Sequence, residues 1–194
     1  MIHMIKDKIT PEIKRMFIDA IEATVRTGNE HGFLICKNII GELKPTQMCE
    51  GEKCIVSLEE LECPFITEGN FHTHPDIANH RKIFPDMSDD EIKDFVFDMA
   101  SYFNAIVPGP GHADLVYALL GKLYKGYGGV VCVGSDANID TVSCWTAKDD
   151  LTKEEINRSI DIMNEEIKKG ELHTIAYKDD WIDSYFDKEI IDLK

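Results

Sequence analysis

Apolar residues recur along the chain in two rhythms, and each change of rhythm marks an element. Ile13, Phe17, Ile21 and Val25 return every four residues, which gathers them on one face of a helix. Thr10 supplies a hydroxyl at its N-cap, Pro11 suits the first turn, and Gly28 stops it. His31-Gly-Phe-Leu-Ile-Cys36 is a short apolar run and predicts a buried strand. Gly41 to Glu52 is rich in turn formers, and Cys54 to Leu58 predicts a second strand. A third strand runs from Phe65 to His74, where Pro75 ends it.

The second half alternates in the same way. Residues 76–87 form a polar loop, and Ser88-Asp-Asp-Glu91 has the spacing of a capping box. Ile92, Phe95, Val96, Met99 and Phe103 then line a predicted helix. Pro108-Gly-Pro-Gly111 reads as a loop and His112 to Leu123 as a helix. Gly128 to Gly134 and Asp140 to Trp145 read as two strands joined by a turn over 135–138. Thr152 and Glu155 make a second capping box, Ile156, Ile160, Met163 and Ile167 form a stripe, and Gly170 closes it. The acidic tail from Asp179 is expected to pack through Trp181, Tyr185, Phe186 and Ile190. With no repeat or linker, the pattern predicts one α/β domain over 1–194: a core of about 10–145 and a helical extension of about 150–194.

Composition narrows the class. A formal net charge of −15 on 194 residues repels phosphate backbones and disfavours nucleic acid as a partner. No run approaches the roughly 18 apolar residues of a membrane span, and the opening residues do not resemble a signal peptide. The expected compartment is therefore cytoplasmic. The six cysteines, with no C-x-x-C pair among them, are expected to be reduced and to play no part in metal binding.

The chemistry is concentrated at His72-Thr73-His74-Pro75. Residues i and i+2 of a strand point to one face, so both imidazoles can converge on one cation, and neutral imidazole is a preferred zinc ligand. A catalytic zinc takes three protein ligands and keeps a position open for water. Ser88-Asp-Asp-Glu91 offers several carboxylates for the third place. Taken singly, each group has an ordinary explanation: paired histidines on a solvent face, a loop glutamate at 30, an N-cap serine at 88. Their order carries the signal, with a glutamate before a Gly-Phe-Leu strand, then H-x-H-P, then Ser-x-x-acid opening a helix.

That order resembles the JAMM (JAB1/MPN/Mov34) metalloenzyme signature, over about residues 10–145. The resemblance implies a curved mixed sheet between helices, similar to cytidine deaminases, with His72 and His74 as Zn²⁺ ligands. It implies Glu30 as the general base, Ser88 as a donor to the oxyanion or the water, and Glu91 as the third ligand. The implied activity is hydrolysis of a peptide or isopeptide bond at the C-terminal tail of a ubiquitin-like or sulfur-carrier protein. Zinc would lower the pKa of its water to about 7, and Glu30 would move the proton to the leaving amine.

Two features depart from the signature. The family aspartate is a glutamate here, with Asp90 beside it as the alternative ligand. Twelve residues separate Pro75 from Ser88, and that long loop carries His80, Arg81 and Lys82, read either as a solvated loop or as a substrate contact. Two other functions fit parts of the pattern: a metal-free scaffold on the same fold, and another H-x-H metallohydrolase such as a phosphoesterase.

Overall fold

The computed structural model describes residues 5–52, 56–58, 60–75, 85–88, 91, 112–136, 138–168 and 179–194. Helix α1 (Pro11–Thr27) starts and stops as its sequence dictates. The Ile13 amide donates to Thr10 Oγ1 (3.3 Å), and the Gly28 amide donates to the Thr24 carbonyl from a left-handed backbone at φ 73°. Strand β1 (His31–Lys37) follows, then short strands β2 (Leu43–Pro45) and β3 (Cys49–Glu50), and the long β4 (Ile66–His74). After α2 (His112–Lys125) come β5 (Val130–Ser135), β6 (Asn138–Ala147), α3 (Lys153–Lys168), α4 (Asp179–Tyr185) and β7 (Phe186–Asp192).

The strands form one mixed sheet in the order β2-β1-β4-β5-β6-β7, with β3 also paired to β1. Among the described residues, β4 and β5 run parallel and the remaining pairs are antiparallel. Period-2 alternation divides the buried side chains between two faces. On one face, α1 packs Ile13, Phe17 and Ile21 against Phe33, Ile35, Phe71, Cys132 and Val142. Phe17, Phe33 and Phe71 are the centre of this layer, with ring centroids 4.6–5.7 Å apart in tilted contact. On the other face, Leu115 and Leu119 of α2, Ile156 of α3 and Ile182 of α4 cover Val131, Val133, Trp145 and Phe186. The α/β class and the mixed sheet between helices therefore match the pattern.

Several expectations need correction. The turn-rich stretch 41–52 contains β2 and β3, because Ile35–Lys37 and His31–Gly32 still present edge hydrogen bonds that short segments can satisfy. Residues 56–58 are irregular, not strand. The tail ends in β7, whose alternation is masked by charge: Phe186, Glu189 and Ile191 are buried, while Ile190, expected to pack, is exposed. The helix expected over 92–103, the basic cluster at 80–82 and Cys54 lie outside the described residues.

Cysteine pairing also differs from expectation. Cys132 and Cys144 face each other directly across β5 and β6 and are disulfide-bonded, as are Cys36 of β1 and Cys63. Sequence spacing alone could not bring residues 27 positions apart together, whereas the β1–β4 pairing does. Among the described residues Cys49 is the free thiol, and no helix is long and apolar enough to cross a membrane.

Candidate metal centre

The centre is built from the end of β4. Asn70, His72 and His74 alternate onto the face covered by α2, while Thr73 points to the α1 face. Thr73 is tied down there: its hydroxyl lies 2.5 Å from that of Thr24 and accepts from the His31 amide at 2.9 Å. Fixing the middle residue fixes the direction of both flanking imidazoles. The opposing position on β1 is Gly32, where a Cβ would fall 2.8 Å from the Phe71 carbonyl oxygen and against Val56 and Leu58. The missing side chain lets segment 56–58 lie over the strand beside the histidines.

Both imidazoles are buried, with relative exposures of 6% and 5%, and His72 Nε2 lies 3.0 Å from His74 Nε2. The Asp114 carboxylate, in the first turn of α2, is 3.3 Å from His72 Nε2. One ligand atom from each of the three residues falls within 4.8 Å of the others, so among the described residues this group could hold a metal ion. Two zinc–nitrogen bonds of about 2.0–2.1 Å at a tetrahedral angle leave the nitrogens about 3.3 Å apart, so the separation suits a small divalent cation. Two ring nitrogens facing each other across 3.0 Å need a proton or a cation between them. Without a metal, His72 carries the proton: burial works against the charged ring, but Asp114 and Glu30 outweigh burial and push its pKa up to about 9.

Glu30, immediately before β1, is 5% exposed. Its backbone is clamped to the loop ahead, donating to the Glu52 carbonyl and accepting from the Gly51 amide, each at 2.8 Å. Burial raises its carboxyl pKa from 4.5 to about 8; His72 opposes the shift, Asp114 adds to it, and the Val56 amide donates to the carboxylate. The fold thus sets His72 and His74 side by side, with Glu30 near enough to interact electrostatically with His72.

Ser88 and Glu91 go elsewhere. Both are exposed, and they satisfy one another: the Ser88 amide and hydroxyl donate to Glu91 Oε2 at 2.7 and 2.8 Å, and the Glu91 amide donates to Ser88 Oγ at 3.3 Å. This is the capping box, and it holds the Glu91 carboxylate at a helix start with its pKa lowered by those bonds. Among the described residues, the group that could hold a metal takes its carboxylate from Asp114 and does not include Glu91, and Asp90 lies outside the described residues. Asp114 carried a signal in the sequence, an acid in the first turn of a helix after a Pro-Gly loop, but its 40-residue distance from His74 hid the convergence. Asn70, whose Oδ1 lies 3.3 Å from His72 Nδ1, and Ser135, buried opposite His74 across the parallel pair, were likewise not anticipated.

Comparison with protein-family models, curated proteins and solved structures finds no match for this chain. Function is therefore argued from the site.

Proposed function

We propose that this protein is a zinc-dependent metallopeptidase of JAMM type. One observation carries the reading: two imidazoles and the Asp114 carboxylate converge within 4.8 Å beside a buried glutamic acid whose pKa is raised to about 8. His72, His74 and Asp114 would hold the cation, and the donor set of two nitrogens and one oxygen suits zinc and leaves a position open. When bound, the metal supplies Lewis acidity, polarising a carbonyl and acidifying water.

Glu30 supplies the proton chemistry. A carboxylate with a pKa near neutral is basic enough to take a proton from water and acidic enough to return it to a leaving amine. Burial keeps it so, against the opposing pull of His72 and the Val56 amide. Asn70 orients the His72 ring through Nδ1, leaving Nε2 for the cation. The substrate class proposed from the H-x-H-P resemblance is the C-terminal tail of a ubiquitin-like or sulfur-carrier protein.

The test is an extended ubiquitin-like or sulfur-carrier protein incubated with zinc-loaded wild type and Glu30→Gln. Wild type should cleave the extension, and the variant should lose roughly 10²–10⁴-fold in rate with zinc content unchanged. Zinc-loaded wild type that cuts no such tail sinks the substrate assignment, and release of phosphate from phosphoesters would favour the phosphoesterase instead. A second reading, a scaffold on the same fold, is favoured by the mutual and exposed engagement of Ser88 and Glu91. Zinc content separates it, because a scaffold of this kind would not retain the metal.

A further inference from the structure

The turn between β1 and β2 breaks the usual chemistry of turns. Its central residues are Ile39 and Ile40, 83% and 80% exposed, where glycine, asparagine, aspartate or serine would be expected. Two adjacent isoleucines in water stabilise nothing in the fold. Yet the turn is firmly built. The Asn38 amide donates to the Glu42 carbonyl and the Gly41 amide donates to the Asn38 carbonyl, both at 3.0 Å. Asn38 Oδ1 accepts from the Ile40 and Glu42 amides at 3.1 and 2.9 Å, and Gly41 takes a φ of 84° that side chains rarely adopt. The apolar tips are thus presented on a rigid support.

They do not stand alone. Ile66 pairs with Lys37, one residue before the turn, so Phe65 and Ile66 enter the sheet at its base, 61% and 42% exposed. The Cys36–Cys63 disulfide fastens the chain leading into Phe65 to β1 at the same level. An exposed apolar cluster with a polar rim marks an interaction site. The rim here is acidic: Glu42 in the turn and Glu60 and Glu62 ahead of Phe65 are exposed. Lys44 and Lys37 stand against them, and Lys37 is already engaged by Glu68 at 2.5 Å.

We infer that Ile39, Ile40, Phe65 and Ile66 form a docking surface for a basic protein segment, apolar at its centre and lysine- or arginine-rich at its edges. Charge selects this occupant. A second copy would set Glu42 and Glu62 against their own kind on a chain of net charge −15, and an anionic lipid surface is repelled in the same way. The surface lies at the far end of β4 from the histidines. His72 lies six positions after Ile66, about 20 Å along the strand, so docking leaves the candidate metal centre open. It is independent of the peptidase reading.

The probe is a synthetic peptide of alternating leucine and lysine, with a leucine–glutamate peptide of equal length as control, followed by fluorescence anisotropy. Wild type should bind the basic peptide, more weakly as salt rises. Ile39→Asn/Ile40→Asn, which suits a turn and removes nothing from the core, should bind it roughly tenfold or more weakly. Glu42→Gln/Glu62→Gln should weaken binding and flatten its salt dependence. Absence of binding by wild type, equal binding by Ile39→Asn/Ile40→Asn, or equal binding of the acidic control overturns the inference. So does a wild-type dimer in sedimentation that the isoleucine variant abolishes, or pelleting of wild type with phosphatidylcholine vesicles, since each names another occupant.

Discussion

Replacing the buried acid at position 30 by its amide should make the metal-free protein more stable, and by an amount that depends on pH. Burial raises the Glu30 pKa from 4.5 to about 8, so the folded chain holds this proton more tightly than the unfolded one. The sign follows. Stability associated with the proton is present in full below the unfolded pKa of 4.5 and is lost as pH rises through the folded pKa of about 8. At about 1.36 kcal/mol per pKa unit, the whole shift corresponds to roughly 5 kcal/mol, of which about 3 kcal/mol has gone by pH 7. Glutamine does not titrate and still offers an oxygen to the Val56 amide. Glu30→Gln should therefore match wild type near pH 4 and exceed it by about 3 kcal/mol at pH 7, raising the melting temperature by roughly 6–12 °C. Urea unfolding of chelator-treated protein across this pH range measures the difference directly. A constant gap, or a variant less stable than wild type at pH 7, would refute the claim that burial holds Glu30 protonated. If Glu30 is the base proposed above, the variant would gain stability and lose turnover, the trade expected where a functional group is kept in an unfavourable place.

Other outcomes follow from the same geometry. Asp114→Asn should strip most of the zinc while Glu91→Ala should leave it bound, measured by elemental analysis; the reverse would return the third ligand to the capping box. Zinc competes with a proton on His72, whose pKa is pushed up to about 9, so affinity should climb up to about tenfold per pH unit below that value; calorimetric titration in buffers of different ionisation enthalpy should register proton release. Phe71→Ala, at the centre of the three-ring cluster, should cost about 3–5 kcal/mol in urea unfolding, and a cost under about 1 kcal/mol would mean that the α1 face is not the main core. Peptide mapping without reductant should recover Cys36 linked to Cys63 and Cys132 linked to Cys144.

Much of this was legible in the chain. The four-residue apolar spacing with Thr10, Pro11 and Gly28 defined α1, and the continuous runs defined β1, β4 and β5. H-x-H at a strand end put two imidazoles on one face because alternation requires it. Two kinds of information were missing. Short strands such as β2 and β3 exist because β1 has edge amides to satisfy, which is a property of the sheet and not of residues 43–50. The approach of the Asp114 carboxylate to His72 depends on where the first turn of α2 lands relative to β4, and no local periodicity encodes that. Ser-x-x-Glu was read correctly as a cap, but a cap of this kind already occupies the carboxylate it was expected to lend.

The parallel pairing of β4 with β5 bears on how the chain folds. β5 begins 56 positions after the end of β4, since residues 75–129 intervene, and every contact between them closes a long loop. Such non-local pairing slows the search for the native topology and leaves the β4 edge bare in the meantime. His74 and Asp114 lie on the two sides of that closure, 40 positions apart, so a cation held by both would tether the connection before the strands zip. Refolding of chelator-treated protein should then quicken when zinc is supplied at the start, and supplying it after folding is complete should raise only the final stability.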